Sequence, residues 1–118
     1  MQLTQLPADG PLTRIQCEGQ IILSHVQQAT DPLERLLGAA GYSSRLLFDL
    51  EKTTFIDSSG VSWMLLTHRR FNQAGGRIVY HSAPPMVQQI LSLLKMHLVL
   101  HLAADEAAAR ILAQEERP

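Results

Sequence analysis

RLLFDLEKTTFIDSSGVSW, residues 45–63, decides how this chain is read. It opens on RLLFDL, a short and mostly apolar run of the kind that a strand covered on both faces requires. It then sets two threonines, an aspartate, three serines and a glycine between apolar residues (TTFIDSSGVSW, 53–63). Hydroxyls and a carboxylate are costly inside an apolar run unless something bonds them, and a strand-to-helix boundary supplies such partners. Asp57 is a good N-cap, because its carboxylate can accept from an amide two or three residues on. Ser58 and Ser59 then occupy the first helical turn, and the helix runs to about Gln73, where Ala74-Gly75-Gly76 ends it. At about 100° per residue, Val61, Met64, Leu65, His68 and Phe71 share one sector, which should face a sheet. His68 in that sector reads as a core histidine. Ser59, Ser62, Trp63, Leu66 and Arg70 fall opposite. Trp63, the only tryptophan, thus stands with Leu66 beside the serines. Trp and Arg are favoured interface anchors, so this side is either a contact surface or a patch covered by a neighbouring helix or loop.

Working outward toward the N-terminus, MQLTQLPADGPLTRIQCEGQIIL (1–23) alternates apolar and polar residues around Pro7, Asp9, Gly10 and Pro11. This predicts a hairpin with an irregular loop, then a short third strand after Gly19. Ser24 is the expected N-cap of a helix through VQQATDPLERLLGAAG, with Leu33, Leu36 and Leu37 inward and Gly41 at its end. Pro32 inside that helix implies a kink or a delayed start. Toward the C-terminus, RIVYHS (77–82) reads as a strand. Pro84 and Pro85 open a helix, PMVQQILSLLKM, with Val87, Ile90, Leu91 and Leu94 buried. LVLHL (98–102) is a last strand, and DEAAARILAQEE a helix with acids at its N-terminal end, where the macrodipole favours them. Glu115 to Pro118 are expected to fray. Strands alternating with helices imply an α/β layer fold with a largely parallel core and an antiparallel hairpin at one edge.

The 118 residues, 46% of them hydrophobic, suit one domain spanning 1–118 with its core at about 12–112. The lone Cys17 cannot form an internal bridge, which fits a reducing compartment. No apolar stretch reaches membrane-spanning length, and the start lacks the basic and apolar regions of a signal peptide, so a soluble cytoplasmic protein is expected. The formal net charge is −1, with a pI near 6.5. Nucleic-acid binding draws on basic surface that this chain does not concentrate. Catalysis has little support. A nucleophile elbow needs glycines two before and two after its serine, but Ile56 and Gly60 flank Ser58. His25, His68, His81, His97 and His101 form no Glu-flanked metal pair, and His97 and His101 straddle a helix–strand boundary. Gly75-Gly76 is a turn with no following phosphate-loop Lys. We expect no catalytic residues, no metal and no cofactor. A hydrolytic or small-molecule domain using Ser58 or Ser59 would instead need a deep pocket at the helix start.

With these residues placed, the chain resembles the STAS domain family of sulfate transporters and anti-sigma factor antagonists. LLFDLEKTTFIDSSGVSWML (46–65) is similar to the family's central strand, its connecting loop and the Asp-Ser-[Ser/Thr]-Gly start of its second helix. NQAGGRIVYHSAPPMVQQILSLLKMHLVLHLAADEAAARIL follows the family's order of a Gly-Gly turn, strand, proline-led helix, short strand and acid-led helix. The likeness runs from about Leu12 to Leu112. It implies a STAS-like fold: a mixed β-sheet with an N-terminal edge hairpin and about four helices packed mainly on one face. It also implies a bacterial anti-sigma factor antagonist that acts by partner switching, as a monomer or weak dimer that is not inserted in a membrane. Such a protein binds a serine-kinase anti-sigma factor when unmodified. It is released on phosphorylation of the motif's first serine, Ser58, and is reset by a serine phosphatase. Asp57, Ser58, Ser59, Gly60, Ser62, Trp63 and Leu66 are the expected partner contacts. Two features depart from the family. Gly19-Gln20-Ile21-Ile22 stands where members commonly carry Gly-Glu-Leu-Asp, and Ser62 and Trp63 replace smaller residues. The missing acids imply altered kinase recognition, or an accessory subunit that docks constitutively through Asp57 to Gly60 on a protein such as a transporter ATPase; Ser62 and Trp63 imply a different partner surface.

Overall fold

The computed structural model describes residues 1–115. Alternating residues at the N-terminus form β1 (Gln2–Asp9) and β2 (Leu12–Ile21), which pair antiparallel. Gly10 takes the turn with a φ of 59°, a left-handed value that glycine adopts without strain. Next come α1 (Leu23–Val26), α2 (Pro32–Leu37) and a 3₁₀ turn at Ala39–Ser43. They lead to β3 (Arg45–Ile56), α3 (Ser58–Gln73), β4 (Arg77–His81) and α4 (Pro85–Leu93). A second 3₁₀ turn (Met96–Leu98), β5 (His101–Ala103) and α5 (Glu106–Gln114) complete the order. The sheet runs β1-β2-β3-β4-β5, and every pair except β1–β2 is parallel.

Several expectations need correction. No separate third strand follows Gly19. β2 is continuous, and the register shift between Gly19 and Gln20 absorbs an extra residue of β3, with Gly19 at a φ of 92°. This is how a bulge keeps two strands paired through a mismatch. β3 likewise does not stop at Leu50. EKTTFI stays in the sheet because β2 runs beside it, pairing Glu18 with Lys52 and Ile21 with Ile56. Thr53 sits buried there, its hydroxyl donating to the Cys17 carbonyl at 3.4 Å.

The long helix expected after Ser24 is two short ones. α1 ends after one turn, and Ile22 rather than Ser24 stands at its N-cap. α2 starts at Pro32, so the proline delays the helix rather than kinking it, and Asp31 caps it by accepting from the Leu33 and Glu34 amides. Leu33 is buried, whereas Leu36 is exposed. α4 stops at Leu93 because Lys95 turns left-handed (φ 57°), which leaves Leu94 half exposed rather than inward. Leu98 lies in the 3₁₀ turn, and the last strand begins only at His101. Of the tail expected to fray, residues 116–118 lie outside the described residues.

Two cores result. Between the sheet and α1–α4, Phe48 meets Trp63 and Tyr80 edge-on, at centroid distances of 6.1 and 5.2 Å. Such pairs contribute roughly 0.5–1.5 kcal/mol beyond their burial. On the other face α5 alone packs, with Ala109 and Ala113 over Leu12, Leu47 and Val79. Small residues let this helix lie close to the strands. Arg45 and Arg77, neighbours in the β3–β4 register, hold its C-terminal end by donating to the Ala113 and Leu112 carbonyls at 2.5 and 2.6 Å. Cations suit that end of a helix.

Asp31 links the layers. One carboxylate oxygen caps α2, while the other accepts from Trp63 Nε1 at 2.7 Å and lies 3.5 Å from Arg70 Nη1. Asp31→Ala should therefore cost more than a surface cap, about 2–4 kcal/mol, since it also strands a buried indole N–H. Urea unfolding followed by Trp63 fluorescence would check this; a loss under 1 kcal/mol would contradict it. Burial pushes the Cys17 thiol up to about 11, so a thiol reagent at pH 8 should label it only on unfolding, which the labelling rate with and without urea would show.

Candidate functional site

The start of α3 is assembled around one carboxylate. Asp57 has extended backbone (φ −98°, ψ −179°), and its Oδ1 accepts from the Gly60 amide at 2.7 Å. Its Oδ2 accepts from the Leu23 amide, the first of α1, at 3.1 Å. Its own N–H donates to the Ile21 carbonyl at 3.2 Å. Asp57 thus ties the end of β2 to the starts of both helices. The second bond answers a need created upstream. Ile22 occupies the N-cap position of α1 and has no side-chain acceptor to offer, so the acceptor comes from Asp57 instead. Gly60 is required by close approach: a Cβ there would run into the Ile21 carbonyl oxygen and come within 2.8 Å of Ile56 Cγ1.

Because Asp57 takes the inward hydrogen bonds, the serines are left outside. Ser58 is exposed in the first turn of this 16-residue helix, Ser59 is half-buried, and Ser62 is exposed one turn on. Ser58 Oγ makes no hydrogen bond to the described residues. Together with Leu23, Val26, Gln27, Trp63 and Leu66, the serines line a shallow groove of about 380 Å³ between α1 and α3. Among the described residues no charged side chain or histidine lines it. The rim is apolar, with Leu23 50% and Leu66 44% exposed.

Trp63 does not stand on the surface. It is only 5% exposed, roofed by the segment that carries Asp31, and forms the groove floor. Helical winding set it opposite the sheet-facing sector, and the structure corrects this: the ring packs in the core, edge-on to Phe48 of β3, while its Nε1 reaches Asp31 ahead of α2. Arg70 is occupied too: its guanidinium lies 5.8 Å from the Tyr42 ring centroid and donates to the phenol oxygen at 3.3 Å. Burial raises the Tyr42 phenol pKa above its ordinary value. Sequence reasoning missed Leu23, Val26 and Gln27, which supply the α1 wall of the groove. The trace they leave is an apolar run, Ile21-Ile22-Leu23, longer than the inward face of β2 needs.

The fold and this site define an α/β domain with an uncharged groove at a helix start. The STAS domain model matches residues 4–109, and the chain belongs to the STAS domain family. No curated protein matches its sequence. Among solved structures, it is similar to a putative anti-sigma factor antagonist from Thermotoga maritima, with 12% identity and a TM-score of 0.78 over 96% of this chain and 95% of that one. An anti-sigma factor antagonist from Mycobacterium paratuberculosis shares 18% identity at a TM-score of 0.76, covering 97% and 96%. The anti-sigma factor antagonist SpoIIAA in its unphosphorylated form shares 18% at 0.68, covering 98% and 100%. The mixed five-stranded sheet is that of these neighbours. Among the described residues no helix is long and apolar enough to cross a membrane.

Gly60→Ala should destabilise the domain by about 1–3 kcal/mol or more, because the obstructing atoms are backbone and cannot rotate away. Denaturant titration would show it as a lowered midpoint. A midpoint unchanged from the native protein would mean that α3 does not press on β2 as described.

Proposed function

We propose that the protein is an anti-sigma factor antagonist that works by partner switching, as a binding module with Ser58 as its charge switch. In the unmodified state it binds a serine-kinase anti-sigma factor through the α1–α3 groove; phosphorylation of Ser58 ends that binding, and a serine phosphatase restores it. The observation that carries this reading is the exposed Ser58 hydroxyl, which bonds none of the described residues and is set beside the exposed Leu23 and Leu66. Asp57, Ser59, Gly60, Ser62 and Leu66 form the rest of the contact, with Trp63 as its rigid floor.

The energetics separate the domain from the complex. Phosphoserine carries about −1.5 to −2 charges, and a helix N-terminus favours an anion by roughly 0.3–1 kcal/mol when exposed. Asp57 next to it offsets part of that gain, so the fold should tolerate the phosphate. A partner surface shaped for a hydroxyl and leucines should not. Burying an incompletely paired dianion costs several kcal/mol, and each 1.4 kcal/mol is tenfold in affinity.

A second reading, a constitutive accessory subunit docked on a protein such as a transporter ATPase, draws support from one observation. Gln20 and Ile22, where the family commonly carries acids, bring no charge to the end of β2 and the start of α1 that could orient a kinase. Incubation with cell extract and ATP followed by mass spectrometry distinguishes the two, since switching requires phosphate on Ser58. In a pull-down, Ser58→Ala should retain the anti-sigma factor and stay within about 1 kcal/mol of native stability. Ser58→Glu should lose the partner at least tenfold. Equal capture by Ser58→Glu and native protein would refute the switch.

A further inference from the structure

A second concavity, of about 330 Å³, shares no residue with the Ser58 groove. It opens between α4 and the carboxyl ends of the parallel strands, the edge of an α/β sheet where ligands commonly bind. Leu50, Tyr80 and Leu102, from three adjacent strands, form its inner wall, and Leu91 of α4 faces them. Alanines at 83, 103 and 104 leave the space unfilled. Its size lies at the lower end of the range for small-molecule sites, roughly 300–1,000 Å³.

The chemistry of the walls narrows the occupant. The interior is apolar, whereas Gln88, Ser92 and His97 bring an amide, a hydroxyl and an imidazole to the lining. Gln88, Ser92 and His97 are all exposed, which places the three at the mouth; the Gln88 amide already donates to the Ala83 carbonyl, leaving Ser92 and His97 for a ligand. Among the described residues no carboxylate lines the pocket, and Lys95 is the only Asp, Glu, Lys or Arg between Ser82 and Ala104. The chain between and beyond Ser92 and His97 carries Leu93, Leu94, Leu98 and Val99 outward, at 74%, 49%, 73% and 46% exposure. So many exposed apolar residues beside an apolar cavity mark a binding surface. A cation finds no acidic ligand here, and the several phosphate charges of a nucleotide find neither a glycine-rich loop nor a basic cluster, whereas a hydroxyl and an imidazole suffice to bond one carboxylate.

We infer that this pocket binds a single-chain amphiphile with an anionic head, of the fatty-acid kind. The tail lies against Leu50, Leu91 and Leu102, and the carboxylate sits at the mouth, accepting from Ser92 Oγ and the His97 imidazole. The exposed leucines around the mouth cover the part of the chain that emerges.

The test is a titration of the ¹⁵N-labelled full chain with decanoate below its micelle concentration, with decan-1-ol and butyrate as parallel arms. Decanoate should bind saturably at one site, shifting the amides of Ala83, Leu91, Ser92, His97 and Leu102, and butyrate should not bind. Combined Ser92→Ala and His97→Ala should weaken decanoate about tenfold or more through lost hydrogen bonds to a charged group, with little effect on decan-1-ol. Ala83→Leu should abolish binding by filling the cavity. If that variant fails to fold, Ser92→Phe at the exposed mouth should block entry instead. Three results would overturn the inference: no saturable shift with decanoate, undiminished binding by a folded cavity-filled variant, or ligand-independent shifts of residues 93–99 that grow with protein concentration. The last would assign the surface to a second copy of the chain.

Discussion

The Asp57 carboxylate is the constraint on which the site depends. The end of β2, the end of β3 and the starts of α1 and α3 converge within a few residues, and each helix start brings amides with no intrahelical partner. One side chain accepts from both helices while its backbone donates to Ile21. Gly60 then lets α3 approach that carbonyl closely enough for the arrangement to close. Because these duties fall to residues 57 and 60, the hydroxyl at 58 has none, and a group without structural work is one whose charge can change without unfolding the domain.

What could be read from sequence follows from how local each signal is. The span of α3, its Asp57 cap and the Ala-Gly-Gly stop are local and legible, as are the Asp105 cap of α5 and the proline-led start of α4. The extension of β3 through EKTTFI was not, because that segment has no clean alternation and is held in the sheet by β2 through two register shifts. Helical periodicity set Trp63 opposite the sheet, whereas the large ring reaches back into the core against Phe48. Whether that side was open or covered depended on where α2 starts, which Pro32 and Asp31 decide together. Leu94 failed as a core residue for a similar reason: periodicity continues past Leu93, but the backbone turns left-handed at Lys95.

The departure from the family's acidic pattern acquires a physical meaning in the structure. At position 22 an aspartate would stand at the N-cap of α1, where it could accept from that helix's first amides. With isoleucine there, α1 is a single turn that relies on Asp57. The groove beside Ser58 is itself uncharged and apolar-rimmed, so a partner seated there would meet shape and apolar contact rather than charge. A surface of that kind is sensitive to one added dianion and has no basic residue in its lining to neutralise it. The pocket under α4 is built on different elements and shares no residue with this groove, so the domain offers two independent surfaces.

The most direct test of the switch is to prepare the protein stoichiometrically phosphorylated on Ser58 and to compare it with the unmodified form. Calorimetric affinity for the serine-kinase anti-sigma factor and the thermal midpoint of each form should be measured together. The account predicts an affinity lowered by about a hundredfold or more, corresponding to roughly 2.8 kcal/mol, with a midpoint changed by only a few degrees. Equal affinities, or a loss of binding that merely tracks unfolding of the phosphorylated domain, would contradict it.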